Sequence, residues 1–220
     1  MMQPSLVAFD LDGTLIDSAG GIRRALNLLL RDLDLAPLTL DEVRAGVGDG
    51  VAQLLQRAYA SQDHASPDIA DDVRRFIAHY SADPVAHTQL YPGVAETLRE
   101  LQGRGLTLAV CTNKPLQISE VIIAKLGIAS CFSAVFGGDS RPYRKPDPRI
   151  LQDLLQQFSV RPDHAVLVGD SEVDSATAQA AGVKFILVTF GYHRGGLDRI
   201  PRNHAVDRFS ELSALLAQLS

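Results

Sequence analysis

The chain has 220 residues, 46% hydrophobic, 21% charged and 6% aromatic, with a formal net charge of −5. This composition is ordinary for a globular protein and excludes collagen-like, disordered and coiled-coil classes. The mild acidity argues against a broad nucleic-acid-binding surface, which needs clustered basic residues to neutralise phosphates. The length allows one large domain, or a domain with a smaller module, around a core that needs no disulfide or metal staple.

Met1-Met2-Gln3-Pro4-Ser5 carries no basic region, and the apolar run Leu6-Val7-Ala8-Phe9 stops at Asp10. That is too short for a signal peptide or membrane span and reads instead as a first buried strand. From about Ser18 to Leu90 no convincing strand is predicted. Ile22, Ala25, Leu26, Leu29, Leu30 and Leu33 follow helical spacing, as do Val51, Leu54, Leu55 and Ala58, and then Val73, Phe76, Ile77 and Tyr80. After Leu90-Tyr91-Pro92-Gly93, short apolar runs resume at Leu106–Cys111, Ala134–Phe136, Ala165–Val168 and Phe185–Thr189. They alternate with amphipathic segments at Val94–Leu101, Leu116–Leu126, Arg149–Phe158 and Val173–Ala181, and Ser210–Leu219 closes the chain as a helix. This alternation predicts an α/β fold: a Rossmann-like parallel sheet with helices on both faces. Residues 1–17 and 91–220 form the predicted core, and 18–90 an inserted helical module.

Cys111 and Cys131 lie in no CxxC or Cys/His cluster, so free thiols in a reducing cytoplasm are expected. The six histidines show no HxxxH or HExxH spacing, which argues against a zinc site.

Four polar sets follow predicted strands or the loops after them. They are Asp10-Leu11-Asp12-Gly13-Thr14-Leu15-Ile16-Asp17, Thr112-Asn113, Lys145-Pro146, and Gly169-Asp170-Ser171-Glu172-Val173-Asp174. In an open α/β sheet, ligands bind outside the carboxyl ends of the strands, so all four sets converge there. Singly, each has a plain structural reading: a strand-end Asp caps a helix, Gly13 permits a tight turn, Thr112 caps the next segment.

Together they resemble the haloacid dehalogenase-like hydrolases, and within them the phosphoglycolate phosphatases. The pattern DxDGT, Thr after the second core strand, Lys before a helix, and GDxxxD stands here as Asp10–Thr14, Thr112, Lys145 and Asp170…Asp174. Gly46-Val47-Gly48-Asp49-Gly50, Thr112-Asn113-Lys114-Pro115, Gly137-Gly138-Asp139 and Gly191-Tyr192 add to the likeness. The resemblance covers nearly the whole chain and implies that 18–90 is a helical cap. It further implies a Mg²⁺ ion held by the Asp10 carboxylate, the Asp12 backbone carbonyl and Asp170.

The side chains carry the chemistry independently. A carboxylate, Asp10, can attack phosphorus through an aspartyl-phosphate, splitting one difficult step into two. Asp12 is placed to protonate the leaving oxygen and then deprotonate water, and crowding by other carboxylates is expected to raise its pKa. Several carboxylates in one crevice repel a phosphate unless a cation is present, and Mg²⁺ favours a few carboxylates plus substrate oxygens. Asp174, four residues after Asp170, reads as a residue orienting the metal site from outside its ligands. Lys145 supplies positive charge, Thr112 and Asn113 polar contacts, and the Asp12–Thr14 backbone amides further donors, with Gly13 and Thr14 at the phosphate.

Within the resemblance, Asp12 argues against a dehalogenase. No lysine lies between Ser18 and Leu90, so a Schiff base from the cap is excluded and a β-phosphoglucomutase-like mutase is disfavoured. Phosphate monoester hydrolysis follows, with 2-phosphoglycolate as expected substrate. The alternatives are another small sugar, amino-sugar or nucleotide monophosphate, or an inactive binding domain of the same fold. Selectivity is expected from Gly46, Val47, Gly48, Asp49 and Gly50, helped by Arg44 or by Arg23 and Arg24. The partner is expected to be a small phosphorylated metabolite, without nucleic acid or membrane, for a monomer or homodimer.

Overall fold

A computed structural model of the chain describes residues 4–219. Residues 1–3 of the N-terminal stretch read above lie outside the described residues. Five of the predicted buried strands form at or within a residue of their predicted bounds: β1 (Leu6–Phe9), β4 (Thr107–Cys111), β5 (Ala134–Phe136), β6 (Ala165–Gly169) and β7 (Lys184–Val188). They lie in one parallel sheet ordered β5-β4-β1-β6-β7, extended by a short edge strand, β8 (His204–Val206). That edge strand escaped the sequence reading because only Val206 of its three residues is buried.

Burial of both sheet faces follows from side-chain alternation along each strand. Val7 and Phe9 point into one core layer with Val110, Val166 and Val168, while Leu6 and Ala8 join Ala109, Cys111 and Leu167 in the other. Phe9 contacts Phe209 and Phe132, with ring centroids 5.9 and 6.3 Å away. Burying one such ring stabilises the fold by about 1.5–3 kcal/mol. On the opposite face, α7 (Arg149–Gln157) buries Ile150, Leu151, Leu154 and Leu155, and α8 (Glu172–Ala181) packs on β6 and β7. The remaining helices after the insertion are α5 (Val94–Gly103), α6 (Leu116–Lys125) and α9 (Leu212–Gln218).

Four helices intervene between β1 and α5: α1 (Ala19–Asp32), α2 (Leu40–Gly46), α3 (Val51–Ala60) and α4 (Ile69–Ser81). α1 packs on α4, α3 on α4, and α2 on both α1 and α3. The chain enters and leaves this segment through an antiparallel ribbon, β2 (Ile16–Asp17) with β3 (Gln89–Leu90), pairing Ile16 with Leu90. α2 was absent from the sequence reading. It starts on a capping box: Thr39 Oγ1 accepts from Glu42 N–H, and the Glu42 carboxylate accepts from Thr39 N–H at 2.8 Å. The T-x-x-E signature is present in the sequence, but the helix after it has too few apolar residues to show periodicity. As a result Gly46 ends a helix, and the connecting loop is residues 47–50.

Among the described residues, no helix is long and apolar enough to cross a membrane.

Candidate active site

Asp10 follows β1 directly, its N–H donating to Val168 O on the neighbouring β6 at 2.9 Å. The chain then turns sharply, with Gly13 at φ +85°. A Cβ on Gly13 would lie 2.2 Å from Asp170 Oδ2, so a glycine is required for the turn to reach the carboxylate. Gly13 N–H donates to Ile16 O at 2.9 Å and Thr14 N–H to Leu11 O at 3.3 Å. Two of the three amides expected to face a phosphate are thus used inside the turn. The Thr14 hydroxyl likewise goes elsewhere, to Asp170 Oδ1 at 3.0 Å. Gly13 and Thr14 therefore enclose Asp170, whose Oδ2 also accepts from Tyr192 N–H at 2.5 Å.

Asp170 ends the β6 strand–loop junction, and Ser171 starts α8 with a second capping box. Asp174 N–H donates to Ser171 Oγ at 3.3 Å, and Asp174 Oδ2 accepts from Ser171 N–H at 3.1 Å. The box turns Asp174 back toward β1. Carboxylate oxygens of Asp10, Asp170 and Asp174 come within 4.8 Å of one another, and all three residues are buried. Asp174 therefore stands in the carboxylate cluster itself rather than only behind it.

Lys145 meets two of these three carboxylates. Lys145, 2% exposed, places Nζ 2.6 Å from Asp174 Oδ1 and 2.9 Å from Asp10 Oδ1. The second contact is an ion pair, and among the described residues Asp10 Oδ1 has no hydrogen-bond partner. Burial, with Asp174 repulsion added against the attraction of Lys145, pushes the Asp10 carboxyl up to about 6. Burial foremost, then Asp174 and Asp10, holds Asp170 well above the ordinary carboxylate range. Burial opposes the charge of Lys145, but Asp10 and Asp174 outweigh it and hold its pKa above the ordinary lysine value. The three buried carboxylates form an electron-rich, all-oxygen donor set suited to a hard divalent cation.

Asp12 faces away from this cluster. Its Oδ1 accepts from Ser18 Oγ at 2.5 Å, and both of its oxygens accept from Lys114 Nζ, at 2.9 and 3.1 Å. Asp12 thus has its own counter-ion, apart from the cluster of Asp10, Asp170 and Asp174. Lys114 was not among the predicted site residues. It is 6% exposed and also donates to Tyr80 Oη on α4 at 2.8 Å. The lysine stands in the Thr112-Asn113-Lys114-Pro115 stretch, and nothing in the local sequence separates it from a surface lysine before a helix. Tyr80 was read as part of an apolar helix stripe, which it is, with a phenol at its tip.

Thr112 is buried at the end of β4, its Oγ1 accepting from Lys114 N–H at 3.3 Å. Asn113 Nδ2 donates to Gly48 O and Lys145 O, both at 2.9 Å, joining the 47–50 loop to the Lys145 loop. Among the described residues its buried Oδ1 has no hydrogen-bond partner. Gly138 N–H donates to Lys114 O at 2.8 Å, and a Cβ there would lie 2.3 Å from Asn113 O. The Gly137-Gly138-Asp139 turn thus braces the loop carrying Thr112, Asn113 and Lys114, and Asp139 caps α6 at Leu116 N–H.

Asp10, Asp12, Thr112, Asn113 and Lys114 open onto a cavity of about 50 Å³ whose far wall is Ile22, Val47, Val51, Leu54, Phe76 and Tyr80. Gly48 and Gly50 also line it, while Gly46 and Asp49 do not. Asp49 pairs instead with Arg57 and with Arg194, and Arg194 donates to Ala45 O and Val47 O at 2.9 and 2.8 Å. None of the three arginines expected to help selectivity reaches the cavity. Arg44 pairs with Asp17 and Asp41, and Arg23 and Arg24 are exposed. Cys111 is buried and its thiol is pushed up to about 12, chiefly by burial, which leaves it inert.

Comparison with known proteins agrees with this geometry. The family model described as haloacid dehalogenase-like hydrolase matches residues 7–188. A Cereibacter sphaeroides protein named phosphoglycolate phosphatase is 42% identical over 216 residues, 97% of this chain and 98% of its own. A Rhodospirillum rubrum protein of the same name is 42% identical across 95% of this chain and 89% of its own. A crystal structure from Haemophilus somnus, described as a predicted phosphoglycolate phosphatase, superposes with TM-score 0.92 at 32% identity, covering 98% of this chain and 99% of that one. The chain belongs to the haloacid dehalogenase-like hydrolases, in their phosphoglycolate phosphatase group.

Proposed function

We propose that this protein hydrolyses 2-phosphoglycolate to glycolate and phosphate, with Asp10 as nucleophile and Asp12 as general acid and base. The observation that carries the reading is the division of the carboxylates: Asp10, Asp170 and Asp174 cluster together, with Lys145 paired to Asp10 and Asp174, while Asp12 faces the cavity beside Lys114. The names and identities of the relatives support the substrate.

The carboxylate cluster fits Mg²⁺, which the Asp10 carboxylate, the Asp12 backbone carbonyl and Asp170 would hold, with Asp174 fixing Lys145 and the start of α8. Mg²⁺ supplies charge neutralisation for the phosphate oxygens. Asp10 attacks phosphorus as Asp12 gives its proton to the leaving oxygen. Asp12 then takes a proton from the water that cleaves the aspartyl-phosphate. Lys145 steadies the negative charge of the transferring group, and Thr112 and Asn113 offer polar atoms at the same end. The four inserted helices, α1–α4, act as a cap on the core of residues 1–17 and 91–220, and the 47–50 loop closes over the phosphate. Two buried free cysteines support a reducing, cytoplasmic setting.

The test is phosphate release from 2-phosphoglycolate with and without Mg²⁺, for the parent and for Asp10→Asn. Release that needs Mg²⁺ and is abolished in the Asn variant is expected. Undiminished release by Asp10→Asn overturns the mechanism.

A further inference from the structure

The cavity is mainly apolar on the side of the inserted helices, where Ile22, Val47, Val51, Leu54 and Phe76 line it. Burying an ammonium against such a wall is costly unless an anion meets it. Lys145 is deep at the phosphate end, held by Asp10 and Asp174. The lysine that lines the cavity is Lys114, its Nζ anchored to Tyr80 Oη at 2.8 Å and to Asp12 at 2.9 and 3.1 Å. The ammonium also lies over the Tyr80 ring, 4.5 Å from its centroid, a cation–π contact that fixes it from the α4 side.

We propose that Lys114, held by Tyr80, is the specificity-determining residue that binds the carboxylate of the substrate, and that it selects phosphate esters of 2-hydroxy acids. This rests on the assignment of Asp12 to the leaving oxygen made above. Whatever oxygen Asp12 serves lies within a hydrogen bond of Asp12, and Lys114 lies within a hydrogen bond of the same carboxylate. In a 2-phospho acid the carboxyl group is one carbon from the ester oxygen, so it falls beside the ammonium. A carboxylate there exchanges for the longer Asp12 contact, the 3.1 Å bond to Oδ2, while Ser18 keeps Asp12 Oδ1 in place. A neutral alkyl or hydroxyalkyl ester leaves Lys114 with Asp12 alone and gains nothing from it. The selector is thus a core lysine clamped by a tyrosine of the inserted helices, which explains how those helices can influence selectivity while carrying no lysine.

The experiment compares kcat/KM for 2-phosphoglycolate with that for ethyl phosphate, in the parent, Lys114→Met and Tyr80→Phe. Using the ratio removes losses common to both esters that come from disturbing Asp12. Parent enzyme is expected to prefer the carboxylate ester by at least about tenfold, the scale of one hydrogen bond to a charged group. Lys114→Met is expected to erase that preference and Tyr80→Phe to reduce it, mainly through KM. In parallel, calorimetry on the Asp10→Asn protein reads binding of the two esters without turnover. Tighter binding of 2-phosphoglycolate, lost when Lys114→Met is added, supports the assignment. A ratio or affinity difference unchanged by Lys114→Met overturns it, even where hydrolysis itself proceeds. Should Lys114→Met fail to fold, an unchanged ratio in Tyr80→Phe overturns the clamp. Parent protein that binds the carboxylate ester through Lys114 but cleaves neither ester sinks the phosphatase mechanism and leaves the carboxylate site standing.

Discussion

The Thr14 hydroxyl donates a 3.0 Å hydrogen bond to Asp170 Oδ1, joining residues 156 positions apart. This bond, with the Tyr192 amide on the other oxygen, fixes the orientation of a buried carboxylate that sits beside Asp10 and Asp174. Thr14→Val keeps the shape and removes the donor. Its Mg²⁺ affinity, read as the concentration dependence of the thermal shift, should fall about 10- to 100-fold, the usual effect of losing an outer hydrogen bond to a metal ligand. Equal affinity in parent and variant would show that the Thr14 bond does not orient Asp170 for metal.

Gly13→Ala should be far more damaging than its size suggests. The added Cβ meets Asp170 Oδ2 at 2.2 Å, and the backbone at φ +85° is one that alanine adopts only with strain. A stability loss of ~1–3 kcal/mol is expected from the backbone alone, accompanied by loss of phosphate release. Urea unfolding together with the activity assay checks both, and a variant with parent stability contradicts the close approach.

The carboxylate cluster should make the metal-free protein sensitive to pH in a defined direction. Asp10 is held at about 6 in the fold against an ordinary 3.8, so between those values the folded chain binds more protons than the unfolded one. The stability contributed by this group is complete below about pH 4 and is lost as pH rises through about 6. Mg²⁺ competes with the same protons, so its thermal shift should be small near pH 5 and grow through neutrality. A thermal shift independent of pH would contradict the crowding of Asp10.

Much of this arrangement was legible in the sequence, and the reason differs by residue. Leu6–Phe9 reads as a strand because an uninterrupted apolar run bounded by Asp10 has no other stable place. Asp170 and Asp174 read as a pair because their spacing is local. What could not be read were partnerships fixed by distant elements. Lys114 meets Asp12 across 102 positions, and Tyr80 reaches it from a helix whose pattern signals only a core. The amides of Gly13 and Thr14 were expected at a phosphate, but the turn's own geometry engages them. Asp49 was expected at the substrate, yet two arginines, one of them from beyond β7, draw it to the outside of the loop.

Arg194 offers a test of that loop. It ties Asp49, Ala45 O and Val47 O to the segment after β7 that also holds Asp170 through Tyr192. Arg194→Ala removes those bonds without entering the cavity. KM for the substrate should rise about tenfold while kcat changes little, the pattern of lost ground-state binding. A loss confined to kcat would place Arg194 in the chemistry instead.

Tyr192 makes the carboxylate cluster and the crossing ribbon mechanically inseparable. Its amide holds Asp170, while its phenol accepts from Ser18 and Ala19 N–H at 2.8 and 3.0 Å and donates to Asp17 at 2.6 Å. Any swing of the four helices about residues 16–17 and 89–90 pulls on a residue that also orients Asp170. Thermodynamic reciprocity then applies: whatever factor by which a cation on Asp170 favours one position of the helices, that position tightens the cation by the same factor.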